Sequence, residues 1–298
     1  MKSPRLISFG EALTDLVTDG EGGFRALCGG APWNVARACG ALGLQSAWAG
    51  AISRDSFGDA LLASSRAAGL DERFIQRIDG RPPLLAVVDR LDPPHYFFIG
   101  EQSADLAFDP GLLPAGWTDD ARWVLFGGIS LVREPLGSVL EELAVGLPPS
   151  VRIAFDPNHR ALMRPHDLPR VERFIRRASV VKLSDEDLRG YFPDRLPEAS
   201  LTTLRELNPG ATWLYTQGAD GMTLFAPGED PVRGVPRQMR VVDTVGAGDA
   251  SMAGLLLALD EGLAPAQQVA HALAAAAVAC SRAGAAAPTR SELLAELG

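Results

Sequence analysis

Apolar residues along this chain fall into two alternating rhythms. Short runs rich in β-branched and aromatic side chains predict strands at 6–9, 46–49, 123–126, 151–155, 180–183, 212–215 and 241–242. Longer stretches with helical spacing lie between and around them, at 34–42, 57–68, 136–144, 168–177, 201–207, 250–259 and 264–283. Strands alternating with helices predict an α/β fold, a mainly parallel sheet covered by helices. Two stretches break the rhythm. Residues 15–26 are polar and contain glycine. In 84–98, the run Leu84-Leu85-Ala86-Val87-Val88 and the aromatic Tyr96-Phe97-Phe98 flank a turn rich in Asp and Pro, which predicts a β-hairpin. A hairpin inserted into an α/β domain commonly forms a flap that closes over a site.

Polar residues gather just after the strand runs: Asp15, then Asp156-Pro157-Asn158, Ser184, Thr216-Gln217-Gly218 and Asp243. Ligand crevices of open α/β sheets lie at these carboxyl ends. Strand-to-helix loops favour Asp, Asn, Ser and Gly in any protein, so position alone does not make a site.

The run Asp243-Thr244-Val245-Gly246-Ala247-Gly248-Asp249 carries more. It leads directly into an apolar helix. Its glycines let backbone N–H groups turn inward at a helix N-terminus, where free donors and the helix dipole favour an anion. Beside a bound phosphate, Asp249 is placed to accept the proton of an attacking hydroxyl. An anion cradle with an adjacent base is the minimum equipment for phosphoryl transfer to an alcohol. A lone G-x-G-D is only a helix cap; the seven-residue run is more specific. A second motif, Gly29-Gly30-Ala31-Pro32-Trp33-Asn34, opens another helix, with adjacent glycines allowing close backbone approach and Asn34 offering a donor and an acceptor.

Composition narrows the classes. With 298 residues, 47% hydrophobic and 22% charged, the chain can build one large α/β domain or two small ones. A net charge of −9 with no dense Lys/Arg tract argues against nucleic acid as a partner. Such a chain would neutralise a polyphosphate locally, with backbone N–H groups and a divalent cation. No apolar run approaches the roughly eighteen residues of a membrane span, and the N-terminus lacks a signal-peptide core. The three cysteines, Cys28, Cys39 and Cys280, fit neither a disulfide framework nor a metal motif, and the four histidines lack ligand spacing. These features predict a cytoplasmic protein. A Rossmann-type NAD enzyme is disfavoured, because Gly10-Glu11 after the first strand is not a G-x-G-x-x-G loop.

The two motifs together resemble the ribokinase-like sugar kinases, the PfkB family, and the resemblance spans nearly the whole chain. It implies a three-layer α/β/α sandwich with a mainly parallel sheet, in one domain over 1–298, with a small β-sheet lid built from about 12–28 and 82–108. It implies ATP as phosphoryl donor, Mg²⁺, and K⁺ near Asp243 and Val245. Asp249 resembles the catalytic base, and Gly246, Ala247 and Gly248 the anion hole. Asp15, Gly29, Gly30, Asn34, Asn158 and Arg160 resemble sugar-binding positions. Lys182, Ser184, Thr216, Gly218 and Gly221, with Gly246 and Gly248, resemble the nucleotide site, and Asp187 a metal position acting through water. A homodimer through the lid is a further family expectation.

Local wording, as in Gly10-Glu11-Ala12-Leu13, Phe126-Gly127-Gly128-Ile129-Ser130 and Lys182-Leu183-Ser184-Asp185-Glu186, is nearest to fructokinases. This makes fructose the expected acceptor, with 2-keto-3-deoxygluconate kinase and ribokinase as alternatives. A non-catalytic sugar- or nucleotide-responsive protein on the same fold is the alternative of a different class. Three positions depart from the family pattern. Asp187 stands where the N-x-x-E segment has Glu, no Arg follows Phe97-Phe98, and Ala272-Leu273-Ala274 stands where Asn often precedes alanine.

Overall fold

The structure, a computed structural model, describes residues 3–91 and 94–298. The chain enters through strand β1 (Leu6–Phe9) and at once leaves the main sheet for β2 (Leu13–Thr18) and β3 (Phe24–Gly29). It returns through helix α1 (Ala31–Ala41), β4 (Ser46–Ser53), α2 (Ser56–Ala67) and β5 (Ile75–Ile78), then leaves again for the hairpin β6 (Leu85–Leu91) and β7 (Pro94–Ile99). The middle is β8 (Trp123–Gly127), α3 (Leu136–Gly146), β9 (Arg152–Asp156), α4 (Leu168–Arg177), β10 (Val180–Ser184), α5 (Asp185–Tyr191) and α6 (Pro197–Glu206). The last third is β11 (Thr212–Thr216), β12 (Met222–Phe225), β13 (Val232–Gly234), α7 (Ala247–Asp260), α8 (Pro265–Cys280) and α9 (Arg290–Leu297).

These strands form two sheets, ordered β13-β12-β11-β10-β9-β8-β1-β4-β5 and β3-β2-β6-β7. Pairing from β11 through β5 is parallel, and β12 and β13 close one edge antiparallel. The central strands are apolar at nearly every position because both of their faces are covered. Along β8, Val124 and Phe126 enter a core shared with α3, α4, α5 and α6, whereas Trp123 and Leu125 enter one shared with α1, α7, α8 and α9. Lys182 takes its turn in β10 between Val181 and Leu183, which both face the first core, and so points toward α7. The alanine-rich α8 lets α7 come close: a side chain at Gly254 would collide with the His271 carbonyl. Among the described residues, no helix is long and apolar enough to cross a membrane.

The predicted strands and helices of the α/β alternation are present with one exception. Val241 and Val242 form no strand; they are 55% and 54% exposed in an extended connection before α7. Two β-branched residues without a covered face have nothing to make them a strand. The edge is supplied instead by β12 and β13, which the pattern did not mark. The polar stretch 15–26 belongs to β2, β3 and the turn joining them, and the 84–98 hairpin is β6 and β7; the tip of its turn, Asp92-Pro93, lies outside the described residues. The three cysteines are free.

Candidate active site

Five adjacent parallel strands, β1, β8, β9, β10 and β11, deliver their carboxyl ends to one rim of the main sheet. Beside it α7 begins at Gly246, whose φ of 77° is left-handed and suits glycine. A side chain there would press within 2.8 Å of Ala285 Cβ. In the first turn of α7, Ala247 N–H donates to the Thr244 carbonyl at 3.2 Å, and the N–H groups of Gly248 and Asp249 are donors of the kind a helix start offers an anion. Asp243 braces the preceding loop: one carboxylate oxygen accepts from Val245 N–H at 3.0 Å, the other from Gly284 N–H at 2.8 Å.

Asp249 is 8% exposed, and its Oδ2 accepts a 2.9 Å hydrogen bond from Asn34 Nδ2. The two glycine-rich motifs therefore meet side chain to side chain. Burial pushes the Asp249 carboxyl up to about 6; Asp156 adds to the rise, while Asn34, Lys182 and Arg160 oppose it. Asn34 Oδ1 is buried without a partner among the described residues, an acceptor waiting for a hydroxyl.

Beneath the start of α7, Lys182 Nζ donates to Asp156 Oδ2 at 2.8 Å, with both side chains almost wholly buried. A Cβ on Gly248 would lie 3.3 Å from Lys182 Cε, so the ammonium stem touches the cradle from below. Burial alone would lower the Lys182 ammonium, but Asp156, Asp187 and Asp249 outweigh it and the net direction is up. This lysine stays charged.

The loop after β9 brings in Asn158, at a left-handed φ of 45°, and Arg160, whose guanidinium donates to the His159 carbonyl at 2.8 Å. Burial raises the carboxyls of Asp15, Asp156 and Asp249, and the Arg160 charge opposes the rise at each, so it faces the rim. Asp15 projects from β2 against Gly29, where any side chain would collide with its Oδ2. Its carboxyl is raised by burial to about 6, with Arg160 pulling it back.

Other expected residues serve the frame. Ser184 and Asp187 form the capping box of α5, with Ser184 N–H and Oγ donating to Asp187 Oδ2. Asp187 Oδ1 accepts from His159 N–H at 2.6 Å, which ties α5 to the Asn158–Arg160 loop. Thr216 pairs with Ser184 across the rim, and Gly218 and Gly221 shape the tight turn that follows, at φ of 54° and 97°. No cluster of three metal-ligating side chains occurs among the described residues. The donor set therefore fits a divalent ion carried on nucleotide phosphates and water, not one caged by protein.

Two groups at this rim were given no role by motif reading. Glu11 is buried and accepts from Ser130 N–H and Oγ at 3.1 and 2.8 Å; burial pushes its carboxyl up to about 7. Arg133 clasps the exit of β7, bonding the Gly100 carbonyl at 2.9 Å, Ser103 Oγ at 2.8 Å and the Asp105 carboxylate. Nothing in the surrounding sequence distinguishes Arg133 from a surface arginine. Its signal is the distant, buried Asp105.

A family profile described as "pfkB family carbohydrate kinase" matches residues 3–292. The chain belongs to this family. It is thus a sugar phosphotransferase. A PfkB-family relative, the fructokinase of Rhizobium leguminosarum bv. trifolii, is 34% identical over 264 residues, covering 85% of this chain and 79% of that protein. Among solved structures, the fold matches a Xylella fastidiosa fructokinase with bound ATP at a TM-score of 0.87, with 27% identity over 98% of this chain and 97% of that one. It also matches an aminoimidazole riboside kinase of Salmonella enterica, bound to aminoimidazole riboside and an ATP analog, at 0.85 with 25% identity over 98% and 99%. The PfkB likeness thus covers both sheets.

Proposed function

We propose that this PfkB kinase transfers the γ-phosphoryl group of ATP to a primary hydroxyl of fructose. The observation that carries the reading is the Asn34–Asp249 hydrogen bond, which sets the sugar motif and the catalytic motif at one point. Asp249, largely ionised at neutral pH, takes the hydroxyl proton as the oxygen advances on phosphorus, an effect worth roughly 10²- to 10⁴-fold. The N–H groups of Gly246, Ala247 and Gly248, with Lys182 below them, receive the charge that spreads over the phosphoryl oxygens. Mg²⁺ arriving on the nucleotide would neutralise phosphate charge. Asp15, Asn34, Asn158 and Arg160, with the backbone of Gly29 and Gly30, orient the sugar hydroxyls. Ser184, Thr216, Gly218 and Gly221 border the nucleotide, and Asp187 acts by holding their frame. A monovalent ion near Asp243 and Val245 would find loop carbonyls as ligands.

A neutral ketose fits better than an acidic sugar. Asp15, Asp156 and Asp249 outnumber Arg160 and Lys182 at the rim, the lid carries no arginine after Phe97-Phe98, and Arg133 is already engaged by Asp105. Its names among the relatives point the same way. Dimerisation through the outer face of the lid completes the reading, because Phe24, Phe97 and Ile99 share that face and are 51%, 44% and 51% exposed. Sedimentation should give a dimer for the wild type and a monomer for Phe97→Asp.

The deciding assay follows ADP release with Mg²⁺ across fructose, ribose, 2-keto-3-deoxygluconate and aminoimidazole riboside, with Asp249→Asn alongside. Turnover on fructose, reduced about 10²- to 10⁴-fold in the variant, is the expected outcome. Turnover on another acceptor would keep the mechanism and discard fructose. Binding without turnover would favour a non-catalytic role.

A further inference from the structure

The opposite rim of the main sheet gathers positive charge. Arg5, Arg122 and Arg152 stand at the amino ends of β1, β8 and β9, three adjacent strands, and are laced together by the backbone. Arg122 N–H donates to the Arg5 carbonyl at 2.9 Å and Arg152 N–H to the Arg122 carbonyl at 3.0 Å. A single carboxylate serves the first two: Asp260 Oδ1 lies 2.9 Å from the Arg5 guanidinium and 3.1 Å from that of Arg122. Arg122 also donates to the Asp260 main-chain carbonyl at 3.2 Å, at the end of α7.

Capping the negative end of α7 accounts for Arg5 and Arg122. It does not account for Arg152. This guanidinium lies 3.8 Å over the Trp123 ring and, among the described residues, has no ion pair and no side-chain hydrogen bond. Partial burial and the charges of Arg122 and Arg5 disfavour its cation, and Asp260, not in ion-pair contact with it, only partly offsets them. Two further donors here are buried without partners, Arg5 Nε and Trp123 Nε1. The nearby Asp120 accepts from Ser3 N–H at an exposed position and, among the described residues, forms no ion pair with any of the three arginines. Three fixed cations against one carboxylate, with unused N–H groups beside them, are matched by a ligand with two negative charges and several acceptor oxygens.

We infer that this rim binds a doubly charged oxyanion, inorganic phosphate or the phosphate of a small phosphomonoester, at a site formed by Arg5, Arg122 and Arg152. The site is separated from the catalytic rim by the length of the strands and of α7. It requires no change in the phosphoryl-transfer reading and survives if that reading fails.

The test is a thermal melt with the catalytic site first saturated by fructose, Mg²⁺ and a non-hydrolysable ATP analogue, at ionic strength held constant with sodium chloride. Inorganic phosphate and glycerol phosphate are the two probes, each at about 10 mM. At least one should raise the wild-type midpoint by about 2–4 °C. In Arg152→Gln that rise should fall below about 1 °C while turnover without phosphate stays at the wild-type level. Arg122→Gln, which keeps the Arg152–Trp123 stack, should lose most of the rise as well and serves if Arg152→Gln folds poorly. Response to inorganic phosphate alone identifies the free ion as the ligand, and response to glycerol phosphate the ester. An equal rise in both variants, or no wild-type rise beyond that of sodium chloride, overturns the assignment.

Discussion

The two rims of one sheet are built from opposite charges. At the carboxyl rim, the buried Glu11 and Asp249, with the half-buried Asp15 facing them from β2, are carboxyls whose proton affinities are raised by desolvation. At the amino rim, Arg5 and Arg122 share Asp260, and Arg152 stands beside them over Trp123. Helix α7 connects them, its first turn holding Gly248 and Asp249 and its last residue being Asp260. Its dipole is oriented to favour an anion at the first rim and cations at the second. The difference lies in what each charge can do. Carboxyls near neutrality exchange protons, whereas guanidiniums only hold charge in place. One rim is equipped for a reaction and the other for binding.

Removing the cation from the acidic rim should have the largest effect. Lys182→Met leaves Asp156 buried without its partner and should cost about 3–5 kcal/mol in urea unfolding. Adding Asp156→Asn in the same chain should recover much of that loss; a fully additive double variant would show that the pair is not coupled.

The next effect is proton-linked. With Asp249 titrating near 6, kcat/KM should fall about tenfold per pH unit below that value, and no arginine of the other rim should contribute to the profile. Stability should move the opposite way. The folded state binds this proton more tightly than the unfolded chain, whose aspartate titrates near 3.8. Its contribution is thus complete below about 4 and lost as pH rises through about 6. Asp249→Asn should therefore be at least as stable as the wild type at pH 8 despite its lost turnover, and a destabilised variant would show that the ionised carboxylate is well compensated.

The smallest effect should come from Gly246→Ala. The left-handed backbone and the contact with Ala285 should together cost about 1–2 kcal/mol, measured by denaturant midpoint, with turnover falling as the cradle shifts.

Much of the acidic rim was legible because its parts are contiguous. The 243–249 run and the 29–34 run each carry their own chemistry, and the strands between are apolar on both faces. Legibility stopped where partners are far apart in the chain. Lys182 and Asp156 each stood in a recognisable segment, yet nothing in either segment announced their pairing. Arg133 gave no local sign of Asp105, and the family-like segments holding Glu11 and Ser130 did not show that the two side chains meet. The amino rim was invisible, since Arg5, Arg122, Arg152 and Asp260 come from four segments joined only by strand order. Val241 and Val242 show the reverse error, in which β-branched residues imitate a strand where no neighbouring strand exists to pair with them.

The small sheet carries a consequence for the order of assembly. Its central pair, β2 and β6, aligns Thr14 with Leu85, and the intervening chain builds α1, β4, α2 and β5 of the main body. Closing so long a loop is costly before its contents are in place. The small sheet should be the last piece to form and the first to open, and its amides should exchange with solvent well before those of β8 and β9.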